Sequence, residues 1–411
     1  MASIKLKHSG GNGVIIAAPT SNPASNKTLT LPSDVDGTVV SKDSSNSLQN
    51  IAGINGGQLG NRNLIINGAM QVAQRGTSNT SGGYYTVDRM PLYYDGTDEA
   101  PTQAQVDVAS GTTPYTLGFR KAFKITNGNQ TSGAGANDYI WFQHKMESQV
   151  IANSGWNYTS SSSFITLSFW IKSSVAQTFK CYLRSMDGTG QEYPFETGSL
   201  TADTWTKITK TIPGNSNLTF DNDANQGFQI NILAFYGTGG TANSVTENAW
   251  SAYSASARMK DNTSTWYTTN DATLEITGVQ LEVGNTATDF EHKSFGQELA
   301  LCQRYFYMMV DASDGQKPVL TATCYTDGSL FGQRSFPVTM RANPSVYQVS
   351  STAYYRAYGD NTSRTGDSVS ISVSGTTGCE LEMSVSGTSV SRPYFIRTND
   401  SNARIGFNAE L

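Results

Sequence analysis

The sequence is poor in charge, in cysteine and in long apolar runs. Only 15% of its 411 residues are Asp, Glu, Lys or Arg, and they sum to −5. Nucleic-acid affinity rests chiefly on clustered Lys and Arg, so this balance argues against a nucleic-acid partner. No apolar stretch approaches the roughly 20 residues of a membrane helix. After Met1-Ala2-Ser3-Ile4-Lys5-Leu6-Lys7 comes only a brief apolar piece at 14–18, too short for the core of a signal peptide. Assembly in a cytoplasm is the expectation. Cys181, Cys302, Cys324 and Cys379 lie far apart, with no C-x-x-C pair. That spacing argues against a zinc knuckle, a thioredoxin-type pair and a disulfide framework. Four buried thiols are expected instead. The three histidines, His8, His144 and His292, are scattered, without H-x-x-x-H or H-x-H spacing.

What is present is turn-forming and polar. Glycine reaches 39 residues against 12 prolines, Ser, Thr and Asn are over-used, and no helical blocks alternate with strands. This composition points to an all-β protein, and the length to two or three domains. Residues 1–40 hold β-prone pieces at 4–6, 13–17 and 28–31, broken by Pro19, Pro23 and Pro32. Each is too short for a core of its own. Leu48, Ile51, Ile54 and Leu59 are spaced as neither a good helix nor a heptad. Residues 1–62 are therefore expected to be a docking segment, stabilised by other chains or by a partner structure.

Residues 63–293 read as a central sandwich. The clearest strand is 164–172, where Ile165, Leu167, Phe169 and Ile171 alternate with Thr166, Ser168 and Trp170. Further strands are expected at 178–184, 205–212, 228–236 and 272–283, many separated by turns such as Asp187-Gly188 and Pro213-Gly214. Residues 294–304 give the best helical window, with Phe295, Leu299 and Cys302 on one face. A second β domain, 294–411, follows that helical linker, with strands at 305–310, 319–325, 335–340, 346–349, 369–373, 381–385 and 394–397.

Catalytic chemistry is hard to find. There is no G-x-S-x-G elbow and no Walker loop, and the Gly188 and Gly237 turns lie between strands rather than before a helix. Asp187, Glu192, Glu196 and Glu275 are the carboxylates open to glycoside cleavage, but nothing marks them as a pair. Asp221, Asp223 and Asn225 alternate as in a calcium loop. However, Gln226 and Ile232 stand where that loop needs Gly and a bidentate Glu. A polar hairpin loop leading into the strand at Phe228 is the better reading.

The aromatics are more informative, at 10% of the chain with 20 tyrosines. Most rings in a β protein fill cores, and Trp170 and Trp205, within strands, are expected there. Trp250, Tyr253, Trp266 and Tyr267 fall instead in the polar stretch 238–271. Tyr354, Tyr355 and Tyr358 lie among Ser, Thr, Arg and Gly. Flat rings on polar loops suit stacking on the apolar face of a sugar. These seven are the glycan-binding candidates. Adjacent Tyr354 and Tyr355 would face opposite ways on a strand, so a loop is expected there, with Arg356, Asp360 and Asn361 within reach of hydroxyls.

Several strings stand out along the chain: Arg62-Asn63-Leu64-Ile65-Ile66-Asn67-Gly68-Ala69-Met70, Gln74-Arg75-Gly76 and Val87-Asp88-Arg89, then Leu167-Ser168-Phe169-Trp170-Ile171-Lys172. Together with those below they resemble bacteriophage tail fibres and related virion adhesins of marine or cyanophage type. Ile276 to Gly284 with Ala287-Thr288-Asp289-Phe290-Glu291 is similar to the last strand and exit of their central module. Glu298-Leu299 with Cys302-Gln303-Arg304-Tyr305-Phe306 is similar to the linker. Phe336-Pro337-Val338-Thr339-Met340-Arg341, Pro344 and Phe407-Asn408-Ala409-Glu410-Leu411 are similar to the tip. The resemblance implies a homotrimeric structural protein with a jelly roll like that of carbohydrate-binding modules. Such modules often hold calcium through an acidic residue of the last strand. Ile276-Thr277-Gly278-Val279 offers none at that place, so no metal is carried over, and no catalytic residue either.

The expected protein is thus all-β and not an enzyme. It comprises a docking segment (1–62), a jelly roll (63–293) and a C-terminal β-sandwich tip that binds the receptor (294–411). Its expected partners are further copies in a homotrimer, other tail or capsid proteins through 1–62, and a host-surface glycan or outer-membrane component. No cofactor is expected. Its expected place is the virion tail, after assembly in the host cytoplasm. The alternatives are a capsid-attached fibre or decoration protein, and a polysaccharide depolymerase tailspike.

Overall fold

A computed structural model describes residues 61–262 and 264–411 throughout, and the backbone of four short strands before them. The chain divides into two compact units, Met1–Asn55 and Gly56–Leu411. In the first, β1 (Ser3–Lys7) pairs antiparallel with β2 (Gly13–Ala17), and β3 (Ser41–Lys42) with β4 (Leu48–Gln49). Two of the β-prone pieces read from the sequence are β1 and β2. The piece at 28–31 lies outside the described residues, as does His8.

The second unit carries two large hydrophobic cores, with two small clusters outside them. Its first part runs through β5 (Ser78–Asn79), β6 (Leu92–Asp95), β7 (Thr102–Asp107), α1 (Thr113–Thr116), β8 (Lys121–Thr126), β9 (Tyr139–Glu147) and α2 (Ser148–Ala152). Then come β10 (Phe164–Ser173), β11 (Thr178–Ser185), β12 (Gln191–Ser199), β13 (Thr206–Pro213), β14 (Gln226–Tyr236), β15 (Ser251–Ala252) and β16 (Thr273–Val283). They build two six-stranded antiparallel sheets, in the orders β13-β10-β16-β8-β7-β5 and β15-β12-β11-β14-β9-β6. This is a jelly-roll sandwich. The alternation on β10 sends Ile165, Leu167, Phe169 and Ile171 into the space between the sheets, with Phe142, Phe228, Ile230 and Ile232 in the same core. Burying each such side chain contributes roughly 1.5–3 kcal/mol. Trp170 points the other way and, with Trp205, packs half-buried on the outer side. Neither belongs to the main core, contrary to expectation.

The second part opens with α3 (Phe295–Gln303). Ser294 caps it, accepting from the Gln297 amide while the Gln297 side chain accepts from the Ser294 amide. The buried face is Glu298 and Cys302, not Phe295, which is 56% exposed. The reason is polar: the Glu298 carboxylate accepts from the backbone amide of Asn67, which turns that edge of the helix inward.

Next come β17 (Phe306–Asp311), β18 (Pro318–Thr326), β19 (Ser329–Ser335), β20 (Ser345–Val349) and β21 (Tyr355–Gly359). They are followed by β22 (Thr362–Gly366), β23 (Ser370–Ser374), β24 (Gly378–Ser384), β25 (Pro393–Thr398) and β26 (Arg404–Asn408). The sheets are β17-β26-β20 and β22-β21-β25-β18-β19-β24-β23. The strand expected at 335–340 is displaced, because β19 ends at Ser335 and the chain then bends. Pro337 has no N–H for a ladder, and the Phe336 and Met340 amides donate to Thr377 and Thr376 carbonyls as both side chains enter the second core. The four cysteines are free and buried.

The two cores meet along a polar seam. Arg304 donates Nε (2.7 Å) and Nη2 (2.8 Å) to the two oxygens of Glu147, which also accepts from Tyr305. Gln74 donates to the Phe306 carbonyl (2.7 Å), and Lys145 to the oxygen of Leu411 (2.9 Å). Arg341 reaches the Ala224 carbonyl at 3.0 Å, and Arg75 reaches Glu410 at 3.3 Å. Asp88, fully buried beside Arg75, has its pKa pushed up to about 6 by burial. Most of the strings that carry the sequence resemblance converge here.

Candidate functional site

The outer face of the β6-side sheet is the place where exposed chemistry gathers. On β9, Ile140, Phe142 and Met146 enter the core, so Tyr139, Trp141, Gln143 and Lys145 face outward. By the same alternation β14 presents Gln229, Asn231 and Leu233, and after a bulge Tyr236. β11 presents Lys180, Tyr182 and Arg184. Register fixes neighbours: Trp141 lies between Tyr93 and Leu233, and Tyr139 between Asp95 and Tyr236.

Three rings lie nearly parallel on this face. Tyr139 and Trp141 have centroids 4.3 Å apart at 22°, and Tyr236 lies 5.4 Å from each at 13° and 9°. Tyr93 adds a tilted ring 6.2 Å from Trp141. All four are half-buried. Burial and the nearby Asp95 carboxylate raise the Tyr139 pKa, so its hydroxyl keeps its proton. Lys145 donates to the Tyr93 hydroxyl (3.0 Å), and Gln143 to Asn231 (2.6 Å). A cavity of about 290 Å³ adjoins the ring set, lined in part by Gly135, Phe235, Tyr236, Thr238 and Asn262.

The segment 238–262 covers the middle of the face. Its Thr241 and Met259 form a bridge, Asn248 donates to the Pro194 carbonyl, and Tyr253 to that of Gly190. Met259 is buried against Tyr182 and Leu233. Arg258 donates to the hydroxyls of Tyr253 (3.0 Å) and Tyr236, which ties the segment to the ring set. Beneath it Arg184 lies 3.3 Å from the Tyr253 ring centroid.

The seven aromatic candidates read from the sequence do not come together. Trp266 and Tyr267 are fully buried and belong to the jelly-roll core; Tyr267 stacks 4.0 Å from Phe235 and donates to Asp138 at 2.9 Å. They are not available as stacking platforms. Trp250 is half-buried 5.3 Å from Tyr193, and its indole donates to the Pro213 carbonyl, so it anchors the covering segment. Tyr253 is held between Arg184 and Arg258 as described. Tyr355 is fully buried and starts β21 rather than a loop, its hydroxyl donating to the carbonyls of Val349 and Arg404. Tyr354 packs against the second core, and Tyr358 faces outward on β21.

The carboxylate candidates are dispersed as well. Glu275 pairs with Lys172 (3.0 Å) on the opposite sheet, and Glu196 with Lys180 (2.7 Å). Asp187 accepts from Ser148 (2.6 Å), and Glu192 is buried at the edge of the covered face. Asp223 accepts from Asn225 within its own loop. Among the described residues no group of three or more His, Cys, Asp or Glu converges as a metal site.

The ring set was missed in the sequence. Its signal was the outward register Tyr139, Trp141, Gln143, Lys145, obscured because the outward Tyr139 and Trp141 are aromatic and the inward His144 is polar, which breaks the polar–apolar alternation expected of a strand.

No family model matches the sequence, and no curated protein matches it. Solved structures with a similar course include the enzymatically active domain of bacteriophage CBA120 tailspike protein 4. It is 13% identical with a TM-score of 0.30, covering 54% of this chain and 21% of that one. The chain thus spans about a fifth of the length of that solved domain. The family 11 carbohydrate-binding module of a Clostridium thermocellum cellulase is 15% identical with a TM-score of 0.24, covering 53% and 98%. The N-terminal cellulose-binding domain of a Cellulomonas fimi β-1,4-glucanase is 12% identical with a TM-score of 0.26, covering 53% and 99%. Similarity at this level carries no argument about ligands.

Proposed function

We propose that the protein is a virion fibre of a bacteriophage tail that attaches to the host surface by binding glycan. The observation that carries the binding is the near-parallel set of Tyr139, Trp141 and Tyr236 on the outer jelly-roll face. A pyranose ring offers a flat C–H face to such rings. Asp95, Lys145 and the Tyr93 hydroxyl stand at the rim for its hydroxyl groups. The virion role rests on the strings that resemble phage fibres, with residues 1–62 as the dock. One shallow site is weak. Three linked copies raise effective concentration, and hence avidity, without new contacts.

The test is retention of full-length protein on immobilised neutral polysaccharides, wild type against Trp141→Ala and Tyr236→Ala. Losing one stacked ring removes about 1 kcal/mol, roughly fivefold per site, and more across linked copies. Unchanged retention with unchanged melting would overturn the site. Release of soluble sugar by the wild type would favour the depolymerase instead. Light scattering checks the trimer, and a clean single-chain mass rejects it. Particles that incorporate a protein lacking residues 1–60 would reject the dock, and antibody labelling separates tail from capsid.

A further inference from the structure

The outer face of the seven-stranded sheet carries two arginines without an acid beside them. Arg356 on β21 and Arg397 on β25 are register partners, so their side chains leave the same face directly opposite one another. The alternation confirms the direction: Tyr355, Ala357, Tyr394 and Ile396 are buried inward. Beyond them stand Thr365 on β22 and Pro318 on β18, neither a carboxylate. Arginine ion pairs in this domain are made by Arg304, Arg392 and Arg404; among the described residues Arg356 and Arg397 make none. The Nε of Arg356 is buried without a hydrogen-bond partner. Like charges set opposite each other destabilise a sheet, and an unsatisfied buried donor adds to that. Stability alone would place an acid here.

Aromatic rings occupy the next row. Tyr358 and Phe395 are register partners, Phe395 is 58% exposed, and the Arg397 guanidinium lies 5.5 Å from the Tyr358 ring centroid. At the far end of the same face β24 directs Glu380 and Glu382 outward, since Cys379, Leu381 and Met383 are buried. An anion is therefore confined to the arginine end.

We propose that this face is a second glycan subsite, selective for sugars bearing a carboxylate or phosphate group. It rests on the glycan-binding reading above. Two guanidinium forks suit an oxyanion, which each can grip in bidentate fashion, while Phe395 and Tyr358 receive the adjoining sugar ring. A nucleic acid is the wrong polyanion for a chain of net charge −5.

The experiment measures retention of full-length protein on polygalacturonate, on a phosphomannan and on neutral dextran. The double variant Arg356→Gln, Arg397→Gln should lose roughly tenfold or more on an acidic polymer and keep its behaviour on neutral polysaccharide. Trp141→Ala should do the reverse. Loss on polygalacturonate alone assigns a carboxylate sugar, and loss on phosphomannan alone a phosphate sugar. The proposal is overturned if acidic retention is unchanged, or absent in the wild type. It also falls if loss accompanies a lower Tm or a smaller sedimenting mass, which would assign the arginines to folding or to a contact between copies. A silent double variant beside an active Trp141→Ala effect removes this subsite only; silence of both removes the glycan reading itself.

Discussion

Arg89 of the jelly roll donates to Glu410 of the C-terminal sandwich, with only 1% and 5% of the two side-chain surfaces exposed. The same guanidinium donates to the Lys145 carbonyl at 2.6 Å and lies 3.5 Å from the Tyr305 ring centroid. Each of these partners is held by the seam between the two cores. A buried pair adds little net stability over apolar packing, but breaking it strands a charge away from water.

Glu410→Gln should therefore lower stability by roughly 3–5 kcal/mol, because Arg89 loses its counter-charge and Arg75 its 3.3 Å contact. Thermal unfolding measures this, and limited proteolysis within 294–305 should accelerate with it. A variant that melts like the wild type and resists protease would show that the seam does not couple the two sandwiches.

Gly278 lies in β16 at φ +62°, where β10 and β16 slip register beside Trp170. A Cβ there would stand 2.7 Å from Phe119 Cζ and 3.1 Å from Trp170 Cδ1. Gly278→Ala should cost about 2–4 kcal/mol, adding overpacking to backbone strain. Gly198→Ala, at φ +74° with nothing within 4 Å, should cost only about 1 kcal/mol. Equal drops in Tm would mean that the Phe119 ring yields without penalty.

Strands were readable where large branched and aromatic residues alternate with polar ones over a long run, as on β10, and not on shorter ones such as β8 and β21. Ile165, Leu167, Phe169 and Ile171 announced β10, and the structure buries all four. What local pattern cannot show is a partner far along the chain. Glu298 reads as a solvated helix residue until Asn67 is placed against it, and Phe295 reads as core for the same reason. Trp266 sits in a polar stretch, yet its neighbours Asn127 and Gln177 satisfy the local backbone and let the ring go inward. Nor could sequence reveal that the resembling strings are largely a seam. Asp88, Glu147 and Glu410 become neighbours of Arg75, Arg304 and Arg89 only through the fold.

Two of the tyrosines read as ligands should now separate by role. Tyr355→Phe removes hydroxyl bonds to Val349 and Arg404 carbonyls. It should cost about 1 kcal/mol of stability and leave glycan retention untouched. Tyr358→Ala exposes no core and should melt within about 0.5 kcal/mol of the wild type, while acidic-glycan retention falls. Parallel melts and retention assays decide, and a reversed pattern would return the site to the buried ring.

Stability should also depend on pH through Glu192. This side chain is 1% exposed on β12, and one carboxylate oxygen has no hydrogen-bond partner. Burial pushes its pKa up to about 7, against the downward pull of the Ser254 amide and of Arg258 and Arg184. The folded state thus keeps a proton that the unfolded chain releases near the usual glutamate value. A carboxyl raised in this way favours the fold at low pH, and that stability is lost as pH climbs from about 4.5 to about 7. Asp88, raised to about 6, acts with the same sign from near 3.8 upward. Glu192→Gln keeps the shape and removes one titration. At pH 8 the variant should exceed the wild type by about 1–3 kcal/mol, discounted for solvent screening around the rim. At pH 4 the two should converge, because the wild-type group is then protonated in both states. Calorimetry at the two pH values reads the difference directly. A gap that is widest at pH 4, or a variant less stable at pH 8, would show that Glu192 is held as a stabilising anion by Arg184 and Arg258.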